Sequence, residues 1–368
     1  MIERWKIVQL ASQNLSASGV LVTLVRAEGS SYRKPGAHLL TIGNEYAGTI
    51  SGGCLEAEVI KKAAWTVRSG AVLEHYSTWF DDTADIPYGL GCGGSVDLLL
   101  EPTETAEYEA LLGALKRSLA GIPATVVTWL PSERMPMRRA VLSASEEIEF
   151  RSNRLLDADI EAARAGEMEG VFVERLLPPQ RLVVLGAGDD AKPLVAMAAL
   201  LGWHTSVVDG RAQLSRVGRF PEAQRVLAIQ PGKLDQIGIV PEDAVVLMTH
   251  SYEQDREWLA ALLPSPPRYF GVLGARHRSS LLVSEASKLT GLSIAECCER
   301  IHAPVGLDLG GDGPEAIALA VIAEVQACCM GKLPISRRLS AIDVASQAEY
   351  GDSSRYVQSN CAIELSGQ

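Results

Sequence analysis

The chain has 368 residues, 47% apolar and 21% charged, with 45 acidic against 34 basic side chains and a formal net charge of −11. At roughly 100–200 residues per domain the length predicts two or three domains. The acidic balance argues against duplex nucleic acid or an anionic membrane as main partner, because phosphate-rich surfaces are met by a basic face. No apolar run reaches the ~20 residues of a membrane helix. The segment Met1–Lys6 is charged and lacks the apolar core of a secretory leader, so a cytoplasmic protein is expected. Seven cysteines without a Cys-x-x-Cys pair or zinc-finger spacing predict reduced thiols rather than a disulfide framework or structural zinc.

In chain order, Trp5, Ile7, Val8 and Leu10 mark an opening amphipathic helix, and the short β-branched run Val20–Val25 marks a buried strand. Leu39–Ile42 and Tyr46–Ile50 flank Gly43-Asn44 as a hairpin. Leu55–Arg68 has helical spacing closed by Gly70. Val72–Phe80 and Val96–Leu100 are further strands, residues 106–120 a helix, and residues 121–177 mix short strands with an acidic helix at Asp157–Ala165. Pro178-Pro179 cannot sit inside a central strand and opens a new unit. After it, strands at 182–185, 205–208, Val226–Ile229, Ala244–Met248 and Tyr269–Leu273 alternate with helices at 190–201, Asp255–Leu263 and 277–289, and a last helix spans Pro314–Cys329. The expected fold class is therefore α/β, with an N-terminal α+β domain (1–120), a connecting α+β segment (121–178), a C-terminal Rossmann-like doubly wound parallel sheet (179–330) and a polar tail (331–368).

Gly186-Ala187-Gly188-Asp189-Asp190-Ala191 leaves a strand and opens a helix, and Asp209 ends the next strand about 20 residues on, the G-x-G-x-x-A form of a dinucleotide fingerprint. Gly186 serves the tight turn, Gly188 the approach of a phosphate, and Ala191 close helix–sheet packing. Asp189 and Asp190 set negative charge where a pyrophosphate would sit, or cap the helix themselves. Gly310 and Gly311 lie in a second glycine-rich loop entering a helix at Pro314. Gly274 and Arg276 leave a strand end toward the same crevice, and His250 is expected near Asp255. In the N-terminal half, Cys54 in Ser51-Gly52-Gly53-Cys54-Leu55-Glu56 stands at a helix mouth, where the dipole favours thiolate. Cys92 lies among four glycines, and the turn Gly29–Gly36 carries the cations Arg33 and Lys34. Together these loops offer soft sulfur ligands and a basic corner suited to a phosphate. Cys297-Cys298 and Cys328-Cys329 read as helix packing.

The sequence resembles the XdhC/CoxI group of maturation factors for molybdenum hydroxylases, through Gly29–Gly36, Gly48–Glu56, Gly89–Gly94, Leu182–Arg211, Thr249–Asp255, Gly271–Arg278 and Gly306–Glu324. The resemblance implies a non-catalytic chaperone, a homodimer, that binds molybdenum cofactor (molybdopterin). It would hold the cofactor during sulfuration by a cysteine desulfurase and deliver it to a xanthine- or CO-dehydrogenase-type apoenzyme. Cys54 and Cys92 then become ligands of molybdenum or carriers of sulfur. Two departures fall in the Rossmann crevice. Members often carry His-Val-Gly where this chain has Asp189-Asp190-Ala191, and Gly-Ser-Arg-Arg-Lys where it has Gly274-Ala275-Arg276-His277-Arg278. The competing readings are an NAD(P)-binding oxidoreductase, which lacks a recognisable hydride-transfer constellation, and a thiol-based sulfur carrier without molybdenum.

Overall fold

The structure, a computed structural model, describes residues 1–29, 31–53, 55–77, the backbone of 86–87, and 94–335. Cys54, Cys92, Cys361, the expected strand end at 78–80 and the tail after 335 lie outside the described residues. The chain divides into two compact units, one comprising Ile2–Pro178 and the other beginning at Pro179.

The first unit opens with α1 (Ile2–Gln13), followed by β1 (Gly19–Gly29), β2 (His38–Ile42), β3 (Glu45–Gly48), α2 (Glu56–Thr66), β4 (Val72–Ser77), β5 (Ile86–Pro87) and β6 (Gly94–Pro102). Then come α3 (Ala106–Leu119), β7 (Ala124–Trp129), β8 (Arg138–Leu142), β9 (Ile148–Arg151), α4 (Asp157–Arg164) and β10 (Val171–Leu176). Two sheets result, ordered β3-β2-β1-β6-β4-β5 and β10-β7-β8-β9. Strand β1 is buried on both faces, which is why its run reads apolar without alternation. Its Leu21 joins Ile7, Leu40, Leu111, Leu115, Val126, Val141 and Leu176 in a core shared by α1, α3 and both sheets. Its Val22 and Leu24 face Val59 and Ala63 of α2, and α4 covers the second sheet through Ile160 and Ala163. Trp5, expected on the apolar face of α1, is instead exposed, and Ile7, Leu10 and Ala11 carry the burial.

Two buried polar links join the sheets. Arg139 of β8 donates a bidentate pair to Glu101 of β6 (2.8 and 2.9 Å), and further bonds to Thr128 Oγ1 (3.1 Å) and the Glu107 carbonyl (2.8 Å). His38 of β2 lies between Thr23 Oγ1 (3.0 Å) and Glu174 Oε1 of β10 (3.1 Å). Burial alone would raise the Glu174 pKa, but His38 and the cations Arg4 and Arg139 hold it below the usual carboxylate value. Residues 121–178 thus share the core and the ionic links of residues 2–120.

The second unit runs β11 (Arg181–Leu185), α5 (Ala191–Leu200), β12 (His204–Asp209), β13 (Arg225–Ala228), β14 (Ala244–Leu247), α6 (Tyr252–Leu262), β15 (Tyr269–Val272), α7 (Arg276–Thr290), α8 (Ile294–Glu299) and α9 (Pro314–Cys329). Its five strands are all parallel, ordered β13-β12-β11-β14-β15. Leu182 and Val184 of β11 pack against α5 and α9, while Val183 and Leu185 pack against α6 and α7, so the sheet is covered on both faces. This is the expected Rossmann-like architecture. Three details differ. Helix α6 starts at Tyr252, three residues before the expected Asp255, because Ser251 caps it. Helix α8 was not expected, although Ser293 and Glu296 form the reciprocal capping box that starts it. Asp190 precedes α5 without a side-chain cap bond, so of the two roles open to it at that position, capping the helix is not the one it takes.

Candidate functional site

The register of the six-stranded sheet brings the motif loops of the first unit together. Gly29, the end of β1, pairs with Gly94, the start of β6. Gly48, the end of β3, pairs with Leu39 near the start of β2, and Ser77, the end of β4, pairs with Ser95. One end of the sheet therefore carries the turn Gly29–Gly36, the loop that follows Gly48, and the point where the Gly89–Gly94 motif enters β6. Gly53 and Leu55, which flank Cys54 in sequence, are at this end; Gly94 lies two residues after Cys92.

The loop after Gly48 is organised by Glu56, a residue whose role the motif alone does not reveal. Glu56 Oε1 accepts from Thr49 Oγ1 (2.5 Å), the Ile50 amide (3.1 Å) and the Ser51 amide (2.8 Å), and Oε2 accepts from Ser51 Oγ. Ser51 Oγ in turn accepts from the amides of Gly53 (3.2 Å) and Leu55 (3.1 Å). Burial would raise the Glu56 pKa, yet the bonds from Ser51 and Thr49 outweigh it and hold the carboxyl at about 2. The Ile50 and Ser51 amides thus already have an anionic partner supplied by the chain, and those of Gly53 and Leu55 a hydroxyl. In the neighbouring turn Arg33 pairs with Glu3, so of the two expected phosphate-binding cations one is engaged by a carboxylate.

In the second unit the strand order reverses between β11 and β14, which opens the crevice at the carboxyl ends of the strands. Gly186 has φ +131°, and a Cβ there would collide with the Met248 carbonyl at the end of β14; its role is close strand–loop packing. A Cβ at Gly188 would press on the end of the Asp190 side chain and touch His250 Cδ2 at 3.6 Å, with no backbone among its nearest neighbours. Asp190 accepts from or shares a proton with His250 Nε2 (2.7 Å), and Asp189 pairs with Lys192 (2.7 Å) and Arg219 (2.9 Å). His250 thus contacts Asp190, whereas Asp255, its expected neighbour, accepts from the Thr249 amide (3.2 Å), Thr249 Oγ1 (2.6 Å) and Arg278 (2.6 Å). Arg278 rather than Arg276 is the cation that ties the β15 end into this network.

Asp209 is fully buried. Its carboxylate accepts from the Ala187 amide (3.0 Å), the Arg211 amide (2.9 Å), Arg211 Nε (2.9 Å) and Arg211 Nη2 (2.8 Å), and Arg211 continues to the Thr249 carbonyl (2.9 Å). Against the effect of burial, the bonds from Arg211 and Ala187 keep its pKa below the usual value. A dinucleotide held through a ribose-binding carboxylate does not fit these residues, because both oxygens of that carboxylate are taken up inside the fold. Gly274 (φ +145°) packs over Arg278, and Gly310 and Gly311 take φ +77° and +88° before Gly313 caps α9. Farther from the crevice, Glu324 of α9 gathers Tyr269 (2.5 Å), His302 (3.2 Å) and the Gly306 amide (2.8 Å). Cys329 is pushed up to about 11, first by burial and then by Cys328, which fits a packing thiol. Among the described residues no group of three or more His, Cys, Asp or Glu could hold a metal ion, and no helix is long and apolar enough to cross a membrane.

A model for the XdhC and CoxI family matches residues 14–77, and one for the XdhC Rossmann domain matches residues 182–325. The chain belongs to the XdhC and CoxI family. A relative in Bacillus subtilis, named as a probable xanthine dehydrogenase component, is 28% identical over 83% of this chain and 92% of its own length. The molybdenum cofactor insertion chaperone PaoD of Escherichia coli is 26% identical over 83% of this chain and 82% of its own. A crystal structure from Bacillus halodurans, described as a xanthine dehydrogenase, superposes with TM-score 0.76 at 27% identity, covering 92% of this chain and 98% of that one. For this XdhC/CoxI member, the expected family and fold class are both established.

Proposed function

We propose that this XdhC/CoxI member is a carrier of molybdenum cofactor that serves a xanthine-dehydrogenase-type molybdoenzyme. The observation that supports it most is the gathering of the motif loops at one end of the six-stranded sheet, together with the names of its relatives. In this reading Cys54 and Cys92 supply the soft sulfur that molybdenum prefers over hard carboxylates. Lys34, with Arg33 when it is released from Glu3, holds the cofactor phosphate. Glu56 braces the Thr49–Ser51 segment that precedes Cys54 in sequence. The second unit contributes a crevice edged by Gly186, Gly188, Ala191, Gly274, Arg276, Gly310 and Gly311, and Asp209 braces it from within. A cysteine desulfurase as sulfur donor, a molybdenum hydroxylase apoenzyme as recipient, a homodimeric state and a cytoplasmic location complete the proposal. The role is binding and transfer of cargo, with no turnover of its own.

The test is a metal and pterin assay. The protein is expressed with ample molybdate and purified, its molybdenum is quantified, and the sample is oxidised to the fluorescent pterin. Both at near one equivalent per chain, with loss in Cys54→Ser and Cys92→Ser, is the expected result. Absence of both from protein purified under anaerobic conditions overturns it.

A further inference from the structure

Beside the Glu56-braced loop stands an aromatic ring that neither the fold nor the proposed thiol chemistry uses. Tyr32 is 80% exposed, although the turn that carries it is fixed. Ser31 Oγ donates to the Arg33 carbonyl (2.8 Å), the Gly36 amide to the Leu24 carbonyl (2.9 Å) and the Ala37 amide to the Lys34 carbonyl (3.2 Å). The ring borders Gly52, where a Cβ would lie 3.7 Å from Tyr32 Cγ and 3.8 Å from Cδ1. The next residue, Gly53, has φ +108°, and among the described residues nothing lies within 4 Å of where its Cβ would be. Gly52 and Gly53 are both exposed. An aromatic ring held on an ordered turn beside a strip of bare backbone offers a flat apolar surface that water covers poorly and a planar heterocycle covers well.

We propose that Tyr32 is the stacking residue for the fused ring of the pterin cargo, lying against the Gly52–Gly53 strip; this rests on the carrier reading above. The chemistry recognised is a planar fused-ring heterocycle, which a pterin or a purine base could supply. The experiment therefore measures fluorescence anisotropy of free pterin titrated with the full chain, alone and with excess guanosine monophosphate. Tyr32→Ala should weaken pterin binding about tenfold, and Tyr32→Phe should stay within about twofold of the parent, as stacking without a required hydroxyl demands. Guanosine monophosphate should not compete. Unchanged binding in Tyr32→Ala overturns the assignment of Tyr32 alone, since the parent then binds pterin by other residues. Displacement by guanosine monophosphate overturns the choice of pterin. Failure of the parent chain to bind free pterin overturns the stacking assignment, while the metal and pterin assay above decides the carrier reading separately. Equal melting temperatures for parent and variants separate each result from loss of fold.

Discussion

Glu56 offers the sharpest test of how the loop after Gly48 is built. Its carboxyl lies at about 2 against an ordinary 4.5, a difference worth roughly 3 kcal/mol at 1.36 kcal/mol per pKa unit. A comparable figure follows from the bonds themselves, because Glu56→Ala leaves the buried Ile50 amide unpaired at a cost of about 1–3 kcal/mol and strips the Ser51 and Thr49 donors of their acceptor. At pH 7 the loop in Glu56→Ala should therefore open more readily by roughly 3 kcal/mol, and hydrogen exchange at Ile50 and Ser51 should accelerate on the order of 100-fold. Glu56→Gln, which keeps one acceptor oxygen and loses the charge, should show about half that free-energy loss. A depressed carboxyl stabilises the fold above its unfolded pKa and ceases to do so as pH falls through the folded value. The protection of these amides in the parent should accordingly decline from about pH 4.5 toward 2, and the gap to Glu56→Gln should close with it. Exchange in Glu56→Ala within threefold of the parent, or parent protection that is flat across that interval, would refute the reasoning.

Three further outcomes follow from particular contacts. Arg139→Met should destabilise the first unit by about 3–5 kcal/mol in urea unfolding, because it leaves Glu101 charged and buried; Arg139→Met with Glu101→Leu should recover much of the loss, and no recovery would count against the pairing as the cause. Gly186→Ala should lower the melting temperature of the second unit steeply, since its Cβ meets backbone at a positive φ, whereas Gly188→Ala meets side-chain atoms of Asp190 and His250 and should cost under about 1 kcal/mol; equal effects would contradict this. NADH fluorescence should be unchanged on titration with the protein, and saturable micromolar binding would show that Asp209 is reachable by a ribose after all.

The parallel sheet was legible because its strands are buried on both faces and appear as short apolar runs between helical patterns. Residues 121–178 were legible only as short strands with the acidic helix at Asp157, and their packing was not, since their organising residue is an arginine inside a strand. Arg139 reads as a surface charge until β8 is set beside β6, and its partner Glu101 is remote in sequence. Asp209 illustrates the opposite difficulty. The dinucleotide spacing around it is genuine, but Arg211, two residues on, takes its carboxylate, and a motif read at fixed positions does not weigh the neighbours that compete for it. His250 took Asp190 instead of Asp255 for a similar reason: Thr249 and Arg278 had filled Asp255 already. Glu56 was visible as a letter in the motif, while its role depended on how the loop before it curls back.

The pairing of Gly29 with Gly94 also orders events in time. A ribosome adds roughly 5–20 residues per second, so β1 and β2 emerge seconds before the strand that must lie between β1 and β4. Until β6 arrives, the turn bearing Tyr32 and the entry point of the Gly89–Gly94 motif are separate stretches of a growing polymer, and the loop that joins them has yet to be closed. A nascent chain consequently has no assembled end of the sheet at which these motifs stand together. The first moment at which the motifs meet is the moment the first sheet is complete, and under the carrier function proposed above this confines loading to chains whose first sheet has already formed.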